Sequence, residues 1–376
     1  MRNHTDIAIV GAGIVGLAHA LAAAKRGLRV VVFERHAQAV GASIRNFGMV
    51  WPVGQPTGLL LERALQSRQI WLELSAAAGF ALEQCGSLHL AYRADELAVL
   101  EEFVTTTAGQ GYAVALMTAA EVADKSRAAI TDGLLAALWS ETECTVDPRE
   151  AIAQLPAYLT ETYGVEFHFE QVVTEITPPQ VVAGQQTWEA DQILVCSGAD
   201  FETLYPALYA NSGLTKVKLQ MMRTAPQPHH WRIGPSLCAG LTLTHYGAFA
   251  HCASLAALKT RIETETPHFP RWGIHVMMSQ NALGELVLGD SHEYGLNPDP
   301  FDQAEINTYI LDYLQQFAQA PSFDIAETWH GIYAKLPGKT EFIAQPEPGV
   351  TVVNALSGAG MTLSFGTAEF VIAGLS

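Results

Sequence analysis

The feature that most constrains this chain lies near its start. An apolar run, Asp6-Ile7-Ala8-Ile9-Val10, leads into Gly11-Ala12-Gly13-Ile14-Val15-Gly16 and then into small residues as far as Ala24. A second β-branched run, Val30-Val31-Val32-Phe33, ends in Glu34. Strand, glycine turn, helix, strand and terminal acid in this order form a dinucleotide-binding βαβ unit. Gly11 permits the tight turn and Gly13 lets the backbone approach a pyrophosphate. Gly16 and Ala20 let the helix lie close to the sheet. The free N–H groups of the helix start turn a partial positive charge toward the phosphates. Glu34 can accept hydrogen bonds from both ribose hydroxyls, which disfavours a 2′-phosphate and hence NADP. FAD and NAD both satisfy the motif. The stretch 7–24 is about the length of a membrane span. Its three glycines and the following Lys25-Arg26-Gly27 favour the βαβ reading instead, so no membrane span is expected.

A length of 376 residues suggests two domains, and 49% hydrophobic with 16% charged residues indicates large buried cores. The formal charge of −17 speaks against nucleic acid or an anionic membrane as partner. Cys85, Cys144, Cys196, Cys238 and Cys252 show no CxxC spacing, which suggests neither a zinc site nor a disulfide framework. Free thiols and a start without the pattern of a signal peptide point to the cytoplasm. Helices are expected at 58–78, 95–109, 119–123, 149–163 and 301–319. Asp147 and Pro148 suit the cap and first turn of the fourth. Strands are expected at 87–92, 165–169, 172–176, 192–196 and 350–353, with a β-rich block over 217–289 and a final helix from about 362. The chain therefore reads as α/β with two discontinuous parts. Residues 1–80, 145–215 and 325–376 would form a Rossmann-like dinucleotide-binding domain. Residues 81–144 and 216–324 would form a β-rich α+β substrate domain.

Three further stretches carry a family resemblance. Gly198-Ala199-Asp200 follows a buried strand and resembles the Gly-Ala-Trp turn of flavin amine oxidoreductases. Asn354-Ala355-Leu356-Ser357-Gly358-Ala359-Gly360-Met361-Thr362 resembles their C-terminal glycine-rich loop. Gly331-Ile332-Tyr333-Ala334-Lys335 stands where they carry Gly-Leu-Arg-Pro. With the first motif, the chain resembles the D-amino-acid oxidase superfamily, near glycine oxidase and sarcosine oxidase. The stretch Ser43–Pro52 resembles a subgroup associated with aminophosphonate catabolism. The resemblance implies FAD rather than NAD, with Gly11, Gly13, Gly16, Glu34 and Arg35 at the ADP half. It places Ser43 and Asn46 near the phosphates and flavin, Gly48 and Met49 beside the isoalloxazine, and Val173 at the adenine. Ser197, Gly198, Gly358, Gly360, Met361 and Thr362 would complete the cradle. No cysteine stands in the family's flavinylation context, so the FAD would be non-covalent.

The implied reaction moves a hydride from the α-carbon of a small primary or N-methylated amine to flavin N5, after which the imine hydrolyses. Electrons would leave to oxygen or another acceptor. Val287 occupies the place of sarcosine oxidase's oxygen-activating lysine. Where the family binds a carboxylate through arginine, this chain has Tyr333 with Lys335 two residues on. A lysine suits a tetrahedral oxyanion at least as well as a planar carboxylate. The substrate would thus be an anionic amine, an aminophosphonate or amino acid. Candidate residues for binding it are Lys335, Tyr333, Arg45, Arg223, His275 and His292. Gly289-Asp290-Ser291-His292 resembles a flavin hydroxylase motif but lacks the proline and glycine-rich helix that follow there; a strand end explains it better. No HExxH or paired-carboxylate spacing appears, so no metal is expected. Two other readings are a non-catalytic or redox-sensing flavoprotein and an NAD-dependent dehydrogenase.

Overall fold

The computed structural model describes residues 3–375. The reading of the chain's start as lacking a leader rests partly on Met1 and Arg2, outside the described residues.

The first strand, β1 (Asn3–Val10), turns through Gly11 into helix α1 (Ile14–Ala24), which returns to β2 (Val30–Phe33). β1 and β2 pair in parallel, with Ile7 opposite Val30. On its other side β1 pairs in parallel with strand Gln186–Val195, which carries strand Val350–Asn354 beyond it. Strand Glu166–His168 pairs in parallel with β2. All four residues of β2 are buried, as expected of a strand covered on both faces. The antiparallel strands Val173–Thr177, Gln180–Ala183 and Phe342–Glu347 complete a mixed eight-stranded sheet. α1 packs on the C-terminal helix Gly360–Ala373, and that helix on Leu59–Ala78. Trp71 is wholly buried there, edge-on to Phe80 and Phe365.

A second, nine-stranded sheet is built mostly of antiparallel pairs. Its centre holds strands Thr215–Pro226, Glu285–Gly289, Met277–Gln280, Ser236–Ala239 and Ser87–Ala91 in that order. Helices Ala94–Thr106, Leu255–Glu265 and Ala304–Leu314 supply residues to its core. The chain is thus α/β, with a mixed sheet around a Rossmann-like parallel centre and a β-rich α+β part.

Three details depart from the sequence reading. Helix Leu255–Glu265 lies inside the block expected to be β-rich. Leu255, Leu258 and Ile262 fall on one helical face and are buried. The helix expected at 301–319 is confined to Ala304–Leu314. Ahead of it, the buried Lys218 ammonium donates to the Phe301 carbonyl and lies 3.0 Å from Asp302 Oδ1. Strand Ile325–Lys335, assigned above to the dinucleotide-binding part, pairs along Thr215–Pro226 in the second sheet, from Lys335 opposite Thr215 to Ile325 opposite Thr224.

Candidate active site

A single cavity of about 530 Å³ runs from the glycine turn to the second sheet. At one end backbone amides are joined by a few polar side chains, Glu34 and Ser43 among them. Gly11 has φ +102°, and a Cβ there would lie 2.5 Å from the Cys196 carbonyl oxygen. A Cβ on Gly16 would lie 1.9 Å from the Gly11 oxygen. Both glycines are demanded by packing. Gly13 is different: it has ordinary φ −70°, and a Cβ on it would meet only Ser43 Oγ, at 3.0 Å. The backbone there is open on the side that faces the cavity, as a pyrophosphate cradle requires.

Helix α1 has no side-chain cap from its N-cap residue. Ser43 Oγ accepts from Ile14 N at 2.9 Å, and Glu34 Oε2 accepts from Ala12 N at 3.0 Å. Glu34 also accepts from His36 N at 3.1 Å, which holds its carboxylate at the end of β2. The C-terminal helix likewise starts without a side-chain cap, and Gly360, Met361 and Thr362 line the same cavity. Two helix N-termini thus give an acidic protein an electropositive floor. Thr362 Oγ1 accepts from Trp51 N at 2.9 Å, and the Met361 carbonyl accepts from Trp71 Nε1 at 2.7 Å. Asn354 Nδ2 donates to the Gly198 carbonyl at 2.8 Å, fixing the turn after strand Gln186–Val195.

Of the sixteen residues expected at the cofactor, all but Gly16 and Gly48 line the cavity. Gly48 instead sits under the Val146 carbonyl, 1.9 Å from where its Cβ would be. Arg35 lines the rim, where it pairs with Asp200. The side chains present fit a dinucleotide: a bare turn for phosphates, an acid for a ribose, and the buried Val173 in the cavity wall.

The other end is made of side chains. Trp51, Leu219, Met221, His245, Tyr246, His275, Asp290, His292, Tyr333 and Lys335 line it. Burial, followed by the Asp290 charge, holds the Tyr246 and Tyr333 hydroxyls well above their ordinary pKa, so both stay protonated. Burial, with the neighbouring imidazoles and Lys335, keeps His245 well below its usual value. His292 is pulled down to about 4, chiefly by burial. Lys335 Nζ lies 3.3 Å from Tyr294 Oη, and among the described residues no carboxylate forms an ion pair with it. Arg45 also lines the cavity and donates to the His330 carbonyl at 3.3 Å.

Arg223 lies elsewhere. It borders a separate, smaller cavity and is held by Glu285 at 3.0 Å and Glu327 at 2.7 Å. Two carboxylates already neutralise it, which removes the reason to assign it an anionic ligand. His245, Tyr246, Trp51 and Asp290 were not among the expected site residues. Asp290 belongs to the Gly-Asp-Ser-His stretch read as a strand end. It is one, and its side chain enters the cavity.

The family model described as FAD dependent oxidoreductase, DAO, matches residues 6–373. The chain belongs to this family. Its cofactor is accordingly FAD, which leaves no place for an NAD-dependent dehydrogenase. The chain is 26% identical over 211 residues to a glycine oxidase from Geobacillus kaustophilus (strain HTA426), a match covering 53% of this chain and 56% of that protein. The alignment thus spans little more than half of the curated relative. The crystal structure of glycine oxidase from Geobacillus kaustophilus superposes with a TM-score of 0.76 at 21% identity, over 99% of this chain and 94% of that one. L-proline dehydrogenase from P. horikoshii gives 0.75 at 21% identity, over 100% and 94%. L-α-glycerophosphate oxidase from Mycoplasma pneumoniae gives 0.74 at 15% identity, over 99% and 95%. At these identities the likeness is one of fold.

Proposed function

We propose that this protein oxidises a small primary or N-methylated amine that carries an anionic group, a phosphonate or a carboxylate, and that it holds FAD non-covalently. The observation that carries this reading is Lys335, a cation on the cavity wall beside the aromatic and imidazole end. The amine part rests on the family and on the glycine oxidase relative. Solved neighbours named for an amino acid, an imino acid and a glycerophosphate share the fold, so the fold does not choose the substrate.

When bound, FAD supplies the two-electron acceptor that converts the substrate's Cα–N single bond into C=N, which water cleaves to a carbonyl compound and an amine. The protein's own residues do the rest. Gly13, Ile14 N and Ser43 set the cofactor's place. Trp51, Leu219, Met221 and Tyr246 wall the chamber with apolar and aromatic surface. A low-dielectric wall disfavours an ammonium and so favours the neutral amine, the form that can be oxidised. Lys335 and Arg45 attract the anionic end and fix which carbon faces the flavin. Tyr333, protonated and leaning on Gly358, can donate to the same group. We read the two sheets as two interleaved domains of a cytoplasmic protein, in keeping with five free cysteines; among the described residues no helix is long and apolar enough to cross a membrane.

The test is anaerobic mixing of the yellow protein with amino acids, N-methyl amines and aminophosphonates. Bleaching by anionic amines and not by their neutral analogues is expected. A flavin that none of them reduces would favour the redox-sensing reading. Acid precipitation should leave the flavin in the supernatant.

A further inference from the structure

We propose that His245, His275, His292 and Asp290 form a site for one divalent ion of a late first-row transition metal, such as zinc. One ring nitrogen from each histidine lies within 4.8 Å of the others. The three histidines come from separate segments, so no spacing along the chain announces them.

Sheet geometry explains the convergence. Strands Met277–Gln280 and Glu285–Gly289 pair with Met277 opposite Gly289. Just beyond, His275 and Asp290 exchange backbone hydrogen bonds, Asp290 N to His275 O at 2.8 Å and His275 N to Asp290 O at 3.3 Å. One strand has advanced two residues and the other one, which is a bulge that re-aims side chains. His275 and Asp290 become direct opposites, and directly opposed side chains share a face. His275 Nε2 lies 3.0 Å from Asp290 Oδ1, and His292 Nε2 lies 3.9 Å from Oδ2. His245 arrives from the turn after helix Gly240–Leu243.

Two observations ask for a cation. Asp290 is 4% exposed, and among the described residues its Oδ1 accepts no aligned hydrogen bond, its one close polar contact being His275 Nε2 at 3.0 Å. His275 is 3% exposed, and among the described residues its Nδ1 has no hydrogen-bond partner. A desolvated carboxylate and an unpaired imidazole nitrogen side by side are costly unless something satisfies both. The tautomers favour ligation. His292 Nδ1 lies 3.0 Å from the Gly273 carbonyl, so Nδ1 bears the hydrogen and Nε2 the lone pair. This is the outer-shell arrangement usual for ligating histidines. The His245 and His275 rings stack with centroids 3.8 Å apart, which brings their nitrogens to one place. Three imidazole nitrogens and one carboxylate are an N₃O donor set, suited to zinc and its neighbours rather than to magnesium or calcium. The bound ion would keep one net positive charge facing the cavity. The site rests on nothing assumed about the amine.

The experiment uses the flavin-loaded protein, stripped with chelator, desalted, and titrated with zinc against a chromophoric zinc chelator. One equivalent per chain is expected, with a rise in thermal midpoint on adding zinc. His292→Ala and Asp290→Asn should weaken binding by at least about 10- to 100-fold while keeping their flavin. His251→Ala, an exposed histidine bonded to Thr106, should bind as the parent does. Should His292→Ala fail to fold, His245→Ala reads the same contact from a less buried position. A parent protein that takes up less than one equivalent overturns the site, as do variants that bind zinc undiminished.

Discussion

The two ends of the cavity are made of different materials. At the glycine turn backbone amides face the cavity, held by a helix and two strands that the core would keep in place anyway, with Glu34 and Ser43 beside them. At the second sheet the polar groups are side chains from separated segments, several of them titratable and buried. Short of a proline, an amide survives any substitution and is obstructed only by added bulk. The side-chain end can be taken apart one residue at a time. The first end should therefore fail in single steps and the second by degrees.

Acid should test this contrast most strongly at the level of the cores, because each region buries one unrelated histidine. His19 lies in α1, where burial pulls its pKa down to about 4 despite a 2.7 Å contact from Nδ1 to the Val15 carbonyl. His89 lies in strand Ser87–Ala91 between Trp51 and Phe249, with neither ring nitrogen partnered among the described residues, and burial pulls it down to about 3. Both folded values lie below the unfolded value of about 6.5. The unfolded chain therefore takes up protons first as pH falls. Stability from these neutral rings is complete above about pH 6.5 and is lost as pH drops toward 4 and 3. At pH 5 each should cost on the order of 2 kcal/mol. His89→Leu should recover most of its share at pH 5 and change little at pH 8, read as thermal midpoints at the two pH values. Equal midpoint losses for variant and parent would refute the assignment.

Next in size is Lys335→Ala. A charge-assisted contact contributes about 1.5–3 kcal/mol, so kcat/KM for anionic amines should fall about ten- to a hundredfold. Neutral amines should suffer much less, and flavin content should hold. Equal activity on charged amines would move the anion-binding role to Arg45. At the opposite end, Gly13→Val tests failure in one step. The variant's Cβ meets only Ser43 Oγ, so the chain should fold, but the cradle loses its open side. Overpacking by about 1–3 kcal/mol weakens FAD by about 5- to 100-fold, measurable as flavin retained after gel filtration. Full flavin in Gly13→Val would show the phosphates to lie elsewhere.

The same contrast decides what could be read in advance. The glycine turn was legible because strand, turn, helix and acid are contiguous, and each has a local reason for its residue type. Glu34 bonding Ala12 N and Ser43 bonding Ile14 N are short-range consequences of that unit. The histidine cluster was not legible. It depends on the one-residue shift that brings Asp290 opposite His275, and no local signal fixes a register. Strand Ile325–Lys335, grouped with the dinucleotide-binding part, pairs in the second sheet with Thr215–Pro226, a partner too remote in sequence to be read locally. Helix Leu255–Glu265 did carry a signal. Its apolar positions repeat at helical spacing, but the surrounding Pro- and Gly-broken strands drowned it.

The smallest effect expected lies at Tyr294, and it separates a recruited lysine from a solvated one. Tyr294 is 57% exposed, yet its hydroxyl lies 3.3 Å from Lys335 Nζ and its ring centre 5.3 Å from it. The strand Glu293–Gly295 that carries it pairs with Thr215–Pro226, the same strand that pairs with Lys335's own, so both residues are fixed by one backbone. Tyr294→Phe removes the hydroxyl and keeps the ring. Water replaces most of an exposed hydrogen bond, so the low end of the usual range applies, about 0.5 kcal/mol, or roughly a twofold rise in KM for anionic amines. Tyr294→Ala also removes the ring, at about 0.5–1 kcal/mol more for an exposed cation–π contact, which makes the combined rise about five- to tenfold. In a Lys335→Ala background both changes should become silent, because their effect passes through the ammonium. An unchanged KM in Tyr294→Ala, or the same rise with and without Lys335, would show that Tyr294 does not aim the lysine.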